Sequence, residues 1–401
     1  MRAIIEKSTL SGAVKAPPSK SMAHRLIIAA ALSKGNCTIE NVSMSEDIKA
    51  TAGCMRELGK EMEFSGNKLI IKDKEINNGE KNLFVSESGS TLRFLIPLCL
   101  TGEEITLYGS KRLFERPLSV YEEIFNEQGI SCEKGEDYIK VKGKLKSGHF
   151  KIRGDISSQF ITGLLYALPL VSGDSEIEIV GKFESRSYIL MTLDALRFFG
   201  VDIYYDGDRV FRIKGNQSFK AKDAFVEGDF SNAAFFDALK LMGHDVTVSG
   251  LNENSLQGDK IYLEYFEEIK KGTPTLSLAD CPDLAPILFT LASHFNGGVF
   301  TDTARLKIKE SDRAEAMKEE LSKFGAKISV FENSVTIEKS TLHKPLYTLS
   351  SHNDHRIAMS LSVLATLYGG EIDGAEAVAK SLPDFYELIT TLGAKVNLSD
   401  C

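Results

Sequence analysis

A short charged segment, KIKESDR, contains the residue types needed for proton transfer beside an anion. It places Lys309, Glu310, Asp312 and Arg313 within seven residues. A carboxylate flanked by cations is either held ionised or poised to exchange a proton, depending on its burial. A charge run of this kind is usually a solvated helix face, but this one follows the strand-like GGVFTD and precedes an amphipathic run. We therefore expect it at the entrance of a helix.

Six further polar segments stand immediately before strongly apolar, helix-like runs. They are PPSKS, SESGS, RGDISSQ, EGDFSN, DCPD and SSHNDHR. Ser, Asp and Asn cap helix N-termini well, and capping explains any single case. A helix N-terminus also offers free N–H groups and a partial positive charge, which suit phosphate and carboxylate. If several such termini converged, they would form an anion-binding site.

Side chains in two of these segments could contact an anion directly. Lys20 and Ser21 begin the first apolar run, and Arg25 follows Ser21 by one helical turn, so the two share a face. A solvated basic turn is the alternative there. RGDISSQF offers two hydroxyls and an amide, neutral donors that suit a phosphate: Ser157, Ser158 and Gln159. Capping would need only one of these serines.

Other candidates stand at predicted helix starts or on a predicted loop. Asp283, in DCPDLAP, is either a cap or a catalytic base, and both interpretations stay open. His352 and His355 are three residues apart, a spacing that permits a shared metal, but no cysteine or HExxH-like partner supports one. We therefore expect no metal. Arg112 and Arg116 lie on a predicted loop, where arginine usually serves solubility.

The chain repeats, and the repeat predicts how these segments are positioned. A helix-like run that ends in glycine and precedes a strand-like run recurs at Gly59, Gly129, Gly200, Gly325 and Gly393, with Gly272 a weaker sixth. Glycine suits such ends because the residue that closes a helix often has a left-handed conformation. A nearly all-apolar run ending in glycine recurs in step, at Gly35, Gly102, Gly173, Gly243, Gly297 and Gly369. Both series shorten once, at the fourth unit.

The two series predict six units, each with a strand, a buried helix, a strand, an amphipathic helix and a strand pair. Helices that are apolar on every face need other elements around them. We expect an α/β protein of two lobes, three units per lobe, each lobe packed around its buried helices as an inside-out α/β barrel. Residues 17–227 would form one lobe, and residues 1–16 with 228–401 the other, because the N-terminal strand RAIIEK could pair with the last strand, KVNLSD. The anion site would occupy the cleft between the lobes.

The composition excludes several classes of function. Lys and Arg number 48 against 56 Asp and Glu, a formal charge of −8, which argues against nucleic acid or an anionic membrane as the main partner. No segment approaches the roughly 20 apolar residues needed to span a bilayer, and the start, MRAIIEKSTL, lacks a signal-peptide core. Six scattered cysteines indicate reduced thiols in a cytoplasmic protein. No exposed apolar stripe is evident, so we expect a monomer.

Ten segments together resemble the enolpyruvyl transferase family, most closely its shikimate-pathway branch. In chain order they are PPSKSMAHR, SESGSTLRF, ERP, GDISSQF, SRSY, EGDFSNA, PDLAP, KIKESDR, NDHRIAM and AKSLPDFY. The resemblance runs over essentially the whole chain. It implies two lobes that close on shikimate 3-phosphate and phosphoenolpyruvate, with no metal or organic cofactor. The implied reaction adds the 5-hydroxyl of shikimate 3-phosphate to C2 of phosphoenolpyruvate and then eliminates phosphate.

The resemblance also implies residue roles. Contacts to shikimate 3-phosphate would come from Lys20, Ser21, Arg25, Ser157, Ser158, Gln159, Ser185, Tyr188, Asp283 and Lys309. Contacts to phosphoenolpyruvate would come from Lys20, Gly89, Arg116, Gln159, Arg313, His355, Arg356 and Lys380. Several cations suit a ligand that carries both phosphate and carboxylate. Asp283 would take the hydroxyl proton and Glu310 would protonate the methylene carbon, with Lys20 able to assist.

Three positions depart from the family pattern. Pro18 stands where glycine is usual, and Glu87 stands where asparagine is common, beside the retained Gly89. Arg305 occupies the place of a substrate-contacting asparagine. Glu87 brings a negative charge near the expected phosphoenolpyruvate pocket, so the sensitivity of that pocket to inhibitors is not predicted.

Two other functions fit parts of the sequence. A transferase acting on UDP-N-acetylglucosamine would need a cysteine on a loop of the second unit, and GSKRLFERP has none. A non-catalytic repeat module would explain the six units equally well, but its repeats would usually carry similar surfaces. Here Lys309, Glu310 and Arg313 occur together in one unit alone. The sequence therefore favours the catalytic hypothesis.

Overall fold

A computed structural model of the chain describes residues 1–74 and 79–400, which leaves Cys401 outside the described residues. The chain divides into two compact units. One contains Met1–Ser19 and the residues from Glu227 onward, and the other contains Lys20–Val226. Each unit has its own hydrophobic core. Among the described helices, none combines the length and the apolar composition needed to cross a bilayer.

Helices supply the buried centre of each unit. Within the described ranges the α-helices are α1 (Lys20–Leu32), α2 (Glu46–Glu57), α3 (Gly89–Leu98), α4 (Lys111–Glu115), α5 (Ser119–Gln128), α6 (Ser158–Ala167), α7 (Arg186–Phe198), α8 (Phe230–Leu241), α9 (Tyr262–Lys271), α10 (Ala285–His294), α11 (Arg313–Lys323), α12 (His355–Tyr368) and α13 (Phe385–Thr391). Short 3-10 turns occur at Leu168–Leu170, Gly258–Ile261, Pro282–Leu284, Ala304–Ile308 and Ala375–Lys380.

The strands lie between these helices. They are β1 (Arg2–Glu6), β2 (Ser11–Lys15), β3 (Ser33–Lys34), β4 (Cys37–Glu40), β5 (Glu61–Ser65), β6 (Lys68–Lys72), β7 (Lys81–Ser86), β8 (Thr101–Gly109), β9 (Ser131–Lys134), β10 (Tyr138–Lys144), β11 (His149–Arg153), β12 (Ser175–Val180), β13 (Ile203–Tyr205), β14 (Val210–Ile213), β15 (Phe219–Lys220), β16 (Ala224–Phe225), β17 (Asp245–Ser249), β18 (Thr275–Ser277), β19 (Gly297–Thr301), β20 (Lys327–Val330), β21 (Ser334–Glu338), β22 (Leu349–Ser350), β23 (Gly370–Asp373) and β24 (Lys395–Ser399).

Five four-stranded sheets share one topology. Their orders are β16-β4-β6-β5, β7-β8-β10-β9, β11-β12-β14-β13, β18-β19-β21-β20 and β22-β23-β1-β24. In each sheet the first two strands are parallel and the remaining neighbours are antiparallel. Two further pairs, β2 with β17 and β3 with β15, are parallel. The sequence repeat therefore corresponds to a recurring sheet.

The last sheet joins the two ends of the chain. β1 lies between β23 and β24 and is antiparallel to both, with Ala3 opposite Ile372 and Leu398. This confirms the prediction that the N-terminal strand pairs with the last strand. After α9, the chain goes directly to β18, without the antiparallel strand pair that follows the corresponding helix α2, α5, α7 or α11. That difference accounts for the shortened fourth interval in both glycine series.

Six apolar helices, α1, α3, α6, α8, α10 and α12, are buried along most of their lengths. Every residue is buried from Met22 to Ala31 in α1, from Ala285 to Ser293 in α10 and from His355 to Thr366 in α12. This confirms the prediction that these runs are enclosed by other elements. The polar segments that precede them consequently lie at the edges of the two cores.

The glycines that end the repeats have the expected left-handed backbone. The eleven glycines of the two series, leaving out Gly272, all have positive φ angles, from 70° at Gly129 to 115° at Gly102. A residue with a Cβ would be strained in that conformation. Gly272 is different: α9 ends before it, but its φ of −177° is extended backbone that any residue can adopt.

Candidate active site

Lys20, the first residue of α1, forms an ion pair with Asp47 of α2. The Lys20 Nζ is 2.8 Å from Asp47 Oδ2, and the two side chains are only 14% and 12% exposed. A pair this sheltered is screened by salt less than a surface pair. Asp47 was not predicted from the sequence, because an acid in the first turn of a helix has an ordinary explanation in the helix dipole.

Arg25 connects two other predicted residues, Ser21 and Tyr188. It is 3% exposed, and it donates to the carbonyl of Ser21 at 2.6 Å, to the carbonyl of Tyr188 at 2.8 Å and to Thr192 Oγ1 at 2.9 Å. Burial lowers the pKa of Arg25 to about 10, so it stays charged at neutral pH. Ser185, the N-cap of α7, is also buried and has a left-handed φ of 55°.

Three polar residues, Ser157, Ser158 and Gln159, stand at the start of α6, and they do not all have the same role. Ser157 Oγ accepts from the N–H of Gln159 at 3.3 Å, so the capping interpretation holds for that serine. Ser158, the next residue, is buried. The Gln159 side chain accepts from Arg93 Nη1 at 3.0 Å and donates to Ser90 Oγ at 3.1 Å. Gln159 is therefore oriented by a cation that the sequence analysis missed.

Arg93 and Arg116, here called the arginine pair, are two buried guanidinium groups beside Gly89. Arg93 is 2% exposed and Arg116 is 8% exposed. A Cβ added at Gly89 would lie 2.7 Å from Arg116 Nη1 and 2.9 Å from Arg93 Nη1. Two guanidinium groups against a bare backbone can hold phosphate or carboxylate. Arg93 could have been found as a cation inside the apolar run TLRFLIP.

The structure corrects the loop placement of Arg112, which is helical, and the interpretation of Arg116 as an exposed solubility residue. Arg112 lies within α4, where its Nη1 is 3.0 Å from the exposed Glu115. Arg116 follows that helix and is buried. Only Arg116 therefore belongs with the candidate site.

We predict that Gly89→Ala weakens binding of an anionic substrate held by the arginine pair, raising the KM of that substrate about tenfold or more, because the added methyl must displace the two guanidinium groups. Steady-state kinetics with each substrate varied in turn would measure this. Gly53→Ala in α2 is the matched control, since a Cβ there meets nothing within 4 Å. Equal KM values for the two variants would contradict the proposed contact.

In the unit that contains the C-terminal half, Asp283 lies among three cations. Its Oδ1 accepts from Lys309 Nζ at 3.2 Å and Arg313 Nη1 at 2.7 Å, and its Oδ2 accepts from Arg356 Nη2 at 3.3 Å. Burial by itself would raise the pKa of Asp283, but Arg356, Lys309 and Arg313 together hold it well below its usual range. Asp283 precedes α10 without capping it, so its bonds are to cations rather than to the helix terminus.

Arg313 is buried and bonds to three carboxylates. It is 1% exposed and donates to Asp283 at 2.7 Å, to Glu310 at 2.7 Å and to Asp354 at 2.8 Å. Asp354 is fully buried and caps α12 by accepting from the N–H of Arg356 at 2.9 Å. The KIKESDR segment does lie at a helix entrance, as predicted, because α11 begins at Arg313.

Arg356 connects Asp283 to a further buried acid. Its Nη1 donates to Ser231 Oγ at 2.7 Å, and Ser231 also bonds to Asp259. Burial and the nearby charge of Asp283 raise the pKa of Asp259 to about 6. Asp259 was not predicted from the sequence. We call the group of Asp259, Asp283, Lys309, Glu310, Arg313, Asp354 and Arg356 the carboxylate–cation cluster.

We predict that Asp259→Asn stabilises the protein increasingly as pH rises from 4 to 7. The folded-state pKa of Asp259 is raised, so its contribution to stability is greatest below its unfolded pKa and is lost as pH rises through about 6. Thermal unfolding of both proteins at several pH values measures the difference in Tm. A Tm difference that does not change with pH would contradict the raised pKa of Asp259.

The remaining predicted residues are buried near the start of α12. His355, its first residue, is 1% exposed. Lys380 ends a 3-10 turn, is 7% exposed and donates to the carbonyl of Asn353. Arg305, which departs from the family pattern, is 8% exposed and donates to the carbonyl of Ala279. Its guanidinium therefore contacts the backbone just before Asp283.

One group of described residues has the geometry to hold a metal ion, formed by Glu319, Glu320 and His352. Lys323 Nζ lies 2.9 Å from both carboxylate oxygens of Glu320. The ammonium group of Lys323 therefore already provides a positive charge at the Glu320 carboxylate, where a metal ion would bind. His355 is not a member of this group.

Comparison with known proteins identifies the family. The family model described as EPSP synthase (3-phosphoshikimate 1-carboxyvinyltransferase) matches residues 4–389. The chain belongs to the EPSP synthase family. One family relative, named 3-phosphoshikimate 1-carboxyvinyltransferase, from Clostridium kluyveri, is 43% identical over 98% of this chain and 97% of its own length. Another of the same name, from Clostridioides difficile, is 38% identical over 98% of each chain.

Solved structures share the fold of this EPSP synthase family member. An EPSP synthase from Acinetobacter baumannii superposes with a TM-score of 0.78 at 22% identity, covering 99% of each chain. The enolpyruvyl transferase NikO from Streptomyces tendae also gives 0.78, at 14% identity, covering 99% of this chain and 98% of its own. At these identities the likeness concerns the fold alone, and it agrees with the predicted α/β class.

Proposed function

We propose that this protein transfers the enolpyruvyl group of phosphoenolpyruvate to the 5-hydroxyl of shikimate 3-phosphate and releases phosphate. Membership of the EPSP synthase family and relatives named 3-phosphoshikimate 1-carboxyvinyltransferase support this reaction. The structural observation that carries the proposal is Arg313, a buried guanidinium bonded to Asp283, Glu310 and Asp354. A buried cation among candidate acids suits a reaction that binds an anion and moves two protons.

The residue roles in this proposal follow the sequence interpretation, with one addition. Shikimate 3-phosphate would be bound by Lys20, Ser21, Arg25, Ser157, Ser158, Gln159, Ser185, Tyr188, Asp283 and Lys309. Phosphoenolpyruvate would be bound by Lys20, Gly89, Arg116, Gln159, Arg313, His355, Arg356 and Lys380. We add Arg93, because it lies against Gly89 and orients Gln159. The buried cations support an anionic ligand, since burial strengthens each contact to it.

The first step forms one bond and moves two protons. The 5-hydroxyl oxygen attacks C2 of phosphoenolpyruvate, Asp283 takes the hydroxyl proton, and Glu310 gives a proton to the methylene carbon. In the second step Glu310, left as a carboxylate by the first step, takes back one methyl proton, the C=C bond re-forms, and the C–O bond to phosphate breaks as phosphate leaves with the bonding electron pair. Lys20, whose charge is held in place by Asp47, can stabilise either substrate oxygen.

Substrate binding itself would activate Asp283. In the structure three cations hold this carboxylate ionised and therefore weakly basic. Phosphoenolpyruvate is an anion and competes for Arg313 and Arg356. As these cations turn to the ligand, the pKa of Asp283 rises and it becomes a better base. The arrangement thus delays proton transfer until phosphoenolpyruvate is bound.

We also propose that the repeat has six units, three in each of two lobes, arranged as an inside-out α/β barrel. Five sheets of common topology and six buried helices support this count. Lobe boundaries at 17–227 and at 1–16 with 228–401, a cleft site, and a monomeric state without metal or nucleic acid belong to the same proposal.

A phosphate-release assay with phosphoenolpyruvate tests the proposed function. Release should require shikimate 3-phosphate and should not occur with UDP-N-acetylglucosamine in its place. Release with the nucleotide sugar alone would instead indicate the sister enzyme. If calorimetry with both shikimate-pathway substrates also gave no heat beyond dilution, a non-catalytic repeat module would be the better description.

A further inference from the structure

A second polar group lies near the end of α11, away from Arg313. Glu320 is fully buried. Its carboxylate is 2.9 Å from His352 Nε2, from Lys323 Nζ and from the backbone N–H of Ser350. Glu320 follows Arg313 by about two helical turns, roughly 10 Å, so both side chains project from the same face of α11. One helix face therefore presents a cation at its start and an anion near its end.

Both groups hold the same strained segment, residues 350–354. His352 and Asn353 have φ angles of 49° and 54°, left-handed conformations that are uncommon for residues with a Cβ, although histidine and asparagine adopt them more often than most. Glu320 bonds to Ser350 and His352 on one side. On the other side Asp354 bonds to Arg313. Strained backbone of this kind persists only where its surroundings fix it, and such strain is concentrated at functional sites.

The segment bears directly on the proposed phosphoenolpyruvate cations. The carbonyl of Asn353 accepts from Lys380 Nζ. Asp354 accepts from the N–H of Arg356 and from the side chain of Arg313. A shift of the segment would therefore move a partner of the Lys380 and Arg313 side chains, and it would move the backbone from which the Arg356 side chain projects.

We propose that His352 and Glu320 are positioning residues for phosphoenolpyruvate binding: their bond keeps residues 351–354 in the strained conformation that places Lys380, Arg356 and Arg313. This inference rests on the proposed function. In this inference His352 does not contact a substrate. It acts through the backbone of Asn353 and Asp354. The family resemblance did not single out either residue.

Protonation of His352 makes the pair sensitive to pH. The hydrogen bond to Glu320 raises the pKa of His352 above its usual value, and Glu319 and Lys323 are the other charged groups that face the imidazole. Burial would raise the pKa of Glu320, but bonds from His352, Lys323 and Ser350 lower it, so the carboxylate stays charged at neutral pH. Because the His352 pKa is raised, the charged pair is present below about pH 6.5 and is lost as pH rises through the folded-state value.

The test is His352→Asn. Asparagine tolerates a left-handed backbone but is too short to replace the imidazole at Glu320. We expect the KM for phosphoenolpyruvate to rise about tenfold at pH 6, with kcat and the KM for shikimate 3-phosphate within about twofold of wild type. The ratio of variant to wild-type KM should fall as pH rises, because the neutral imidazole of the wild type holds the Glu320 carboxylate by a weaker bond than the charged one. Glu320→Gln should behave in the same way.

The control is His149→Asn, which removes an exposed histidine 3.1 Å from Glu178 in a sheet that holds none of the site residues. It should match wild type at every pH. If wild type releases no phosphate, the proposed function fails. If wild type turns over and the KM of His352→Asn is unchanged, this inference alone fails. A parallel rise of both KM values with a lower Tm would indicate general loosening and would also overturn it.

Discussion

Glu310→Gln should leave both substrates bound and reduce turnover by about 10²-fold or more, the usual scale of general acid–base catalysis. Glutamine keeps the size of the side chain and an oxygen that can accept from Arg313 Nη2, now 2.7 Å from Glu310. It cannot deliver a proton to the methylene carbon. Phosphate release measures turnover, and calorimetry with both substrates measures binding.

Glu315→Gln is the matched control for this prediction. Glu315 is the third residue of α11, five positions after Glu310; it is 52% exposed, and its surface ion pair with Lys318 at 3.1 Å contributes little. It should retain wild-type turnover. If Glu310→Gln also turned over at the wild-type rate, Glu310 would have no part in proton transfer and Lys20 would become the leading candidate acid.

Local signals in the sequence predicted the elements of the fold well. A glycine that closes a helix and an apolar run that needs burial are each decided within a few residues, because backbone strain and burial act locally. Gly272 shows the limit of this approach. Its helix ends as expected, but nothing in the neighbouring sequence distinguishes an extended glycine from a left-handed one.

Pairing across the chain was predicted only where the alternatives were few. The N-terminal strand had no other unit to complete, so its place beside β24 followed by elimination. Charge partners gave no such constraint. Asp47 reaches Lys20 across 27 positions, and Asp354 reaches Arg313 across 41. The sequence supplied one member of each pair, and only the fold supplied the other.

At two helix starts the sequence left capping and binding as alternative roles, and the structure gives a different answer at each. Ser157 does cap α6, while Asp283, which had equal claims as cap and as base, caps nothing and bonds to three cations. The two segments look alike in sequence because both put a small polar side chain before an apolar run. Three-dimensional proximity to cations decides between the roles.

Arg313→Leu should lower the free energy of unfolding by about 3–5 kcal/mol, because it removes one partner of a buried ionic group and leaves the others. Asp354 would keep its buried carboxylate without the guanidinium now 2.8 Å away. The pKa of Asp283 is held down in part by Arg313, so it would rise in the variant. The loss of stability should consequently grow as pH rises from the low folded-state pKa of Asp283 in the wild type to its higher pKa in the variant, and urea unfolding at each pH measures it.

A second substitution distinguishes two contributions to the loss of unfolding free energy: the buried charge left without its partner, and the lost side chain itself. Arg313→Leu combined with Asp354→Asn removes the buried charge together with its partner, and it should recover about half of the stability lost by the single variant. Catalysis should not recover, since phosphoenolpyruvate still lacks a cation at this position. If the single variant lost less than about 1 kcal/mol, water would be reaching these carboxylates. Arg313 would then serve the ligand alone rather than the fold as well.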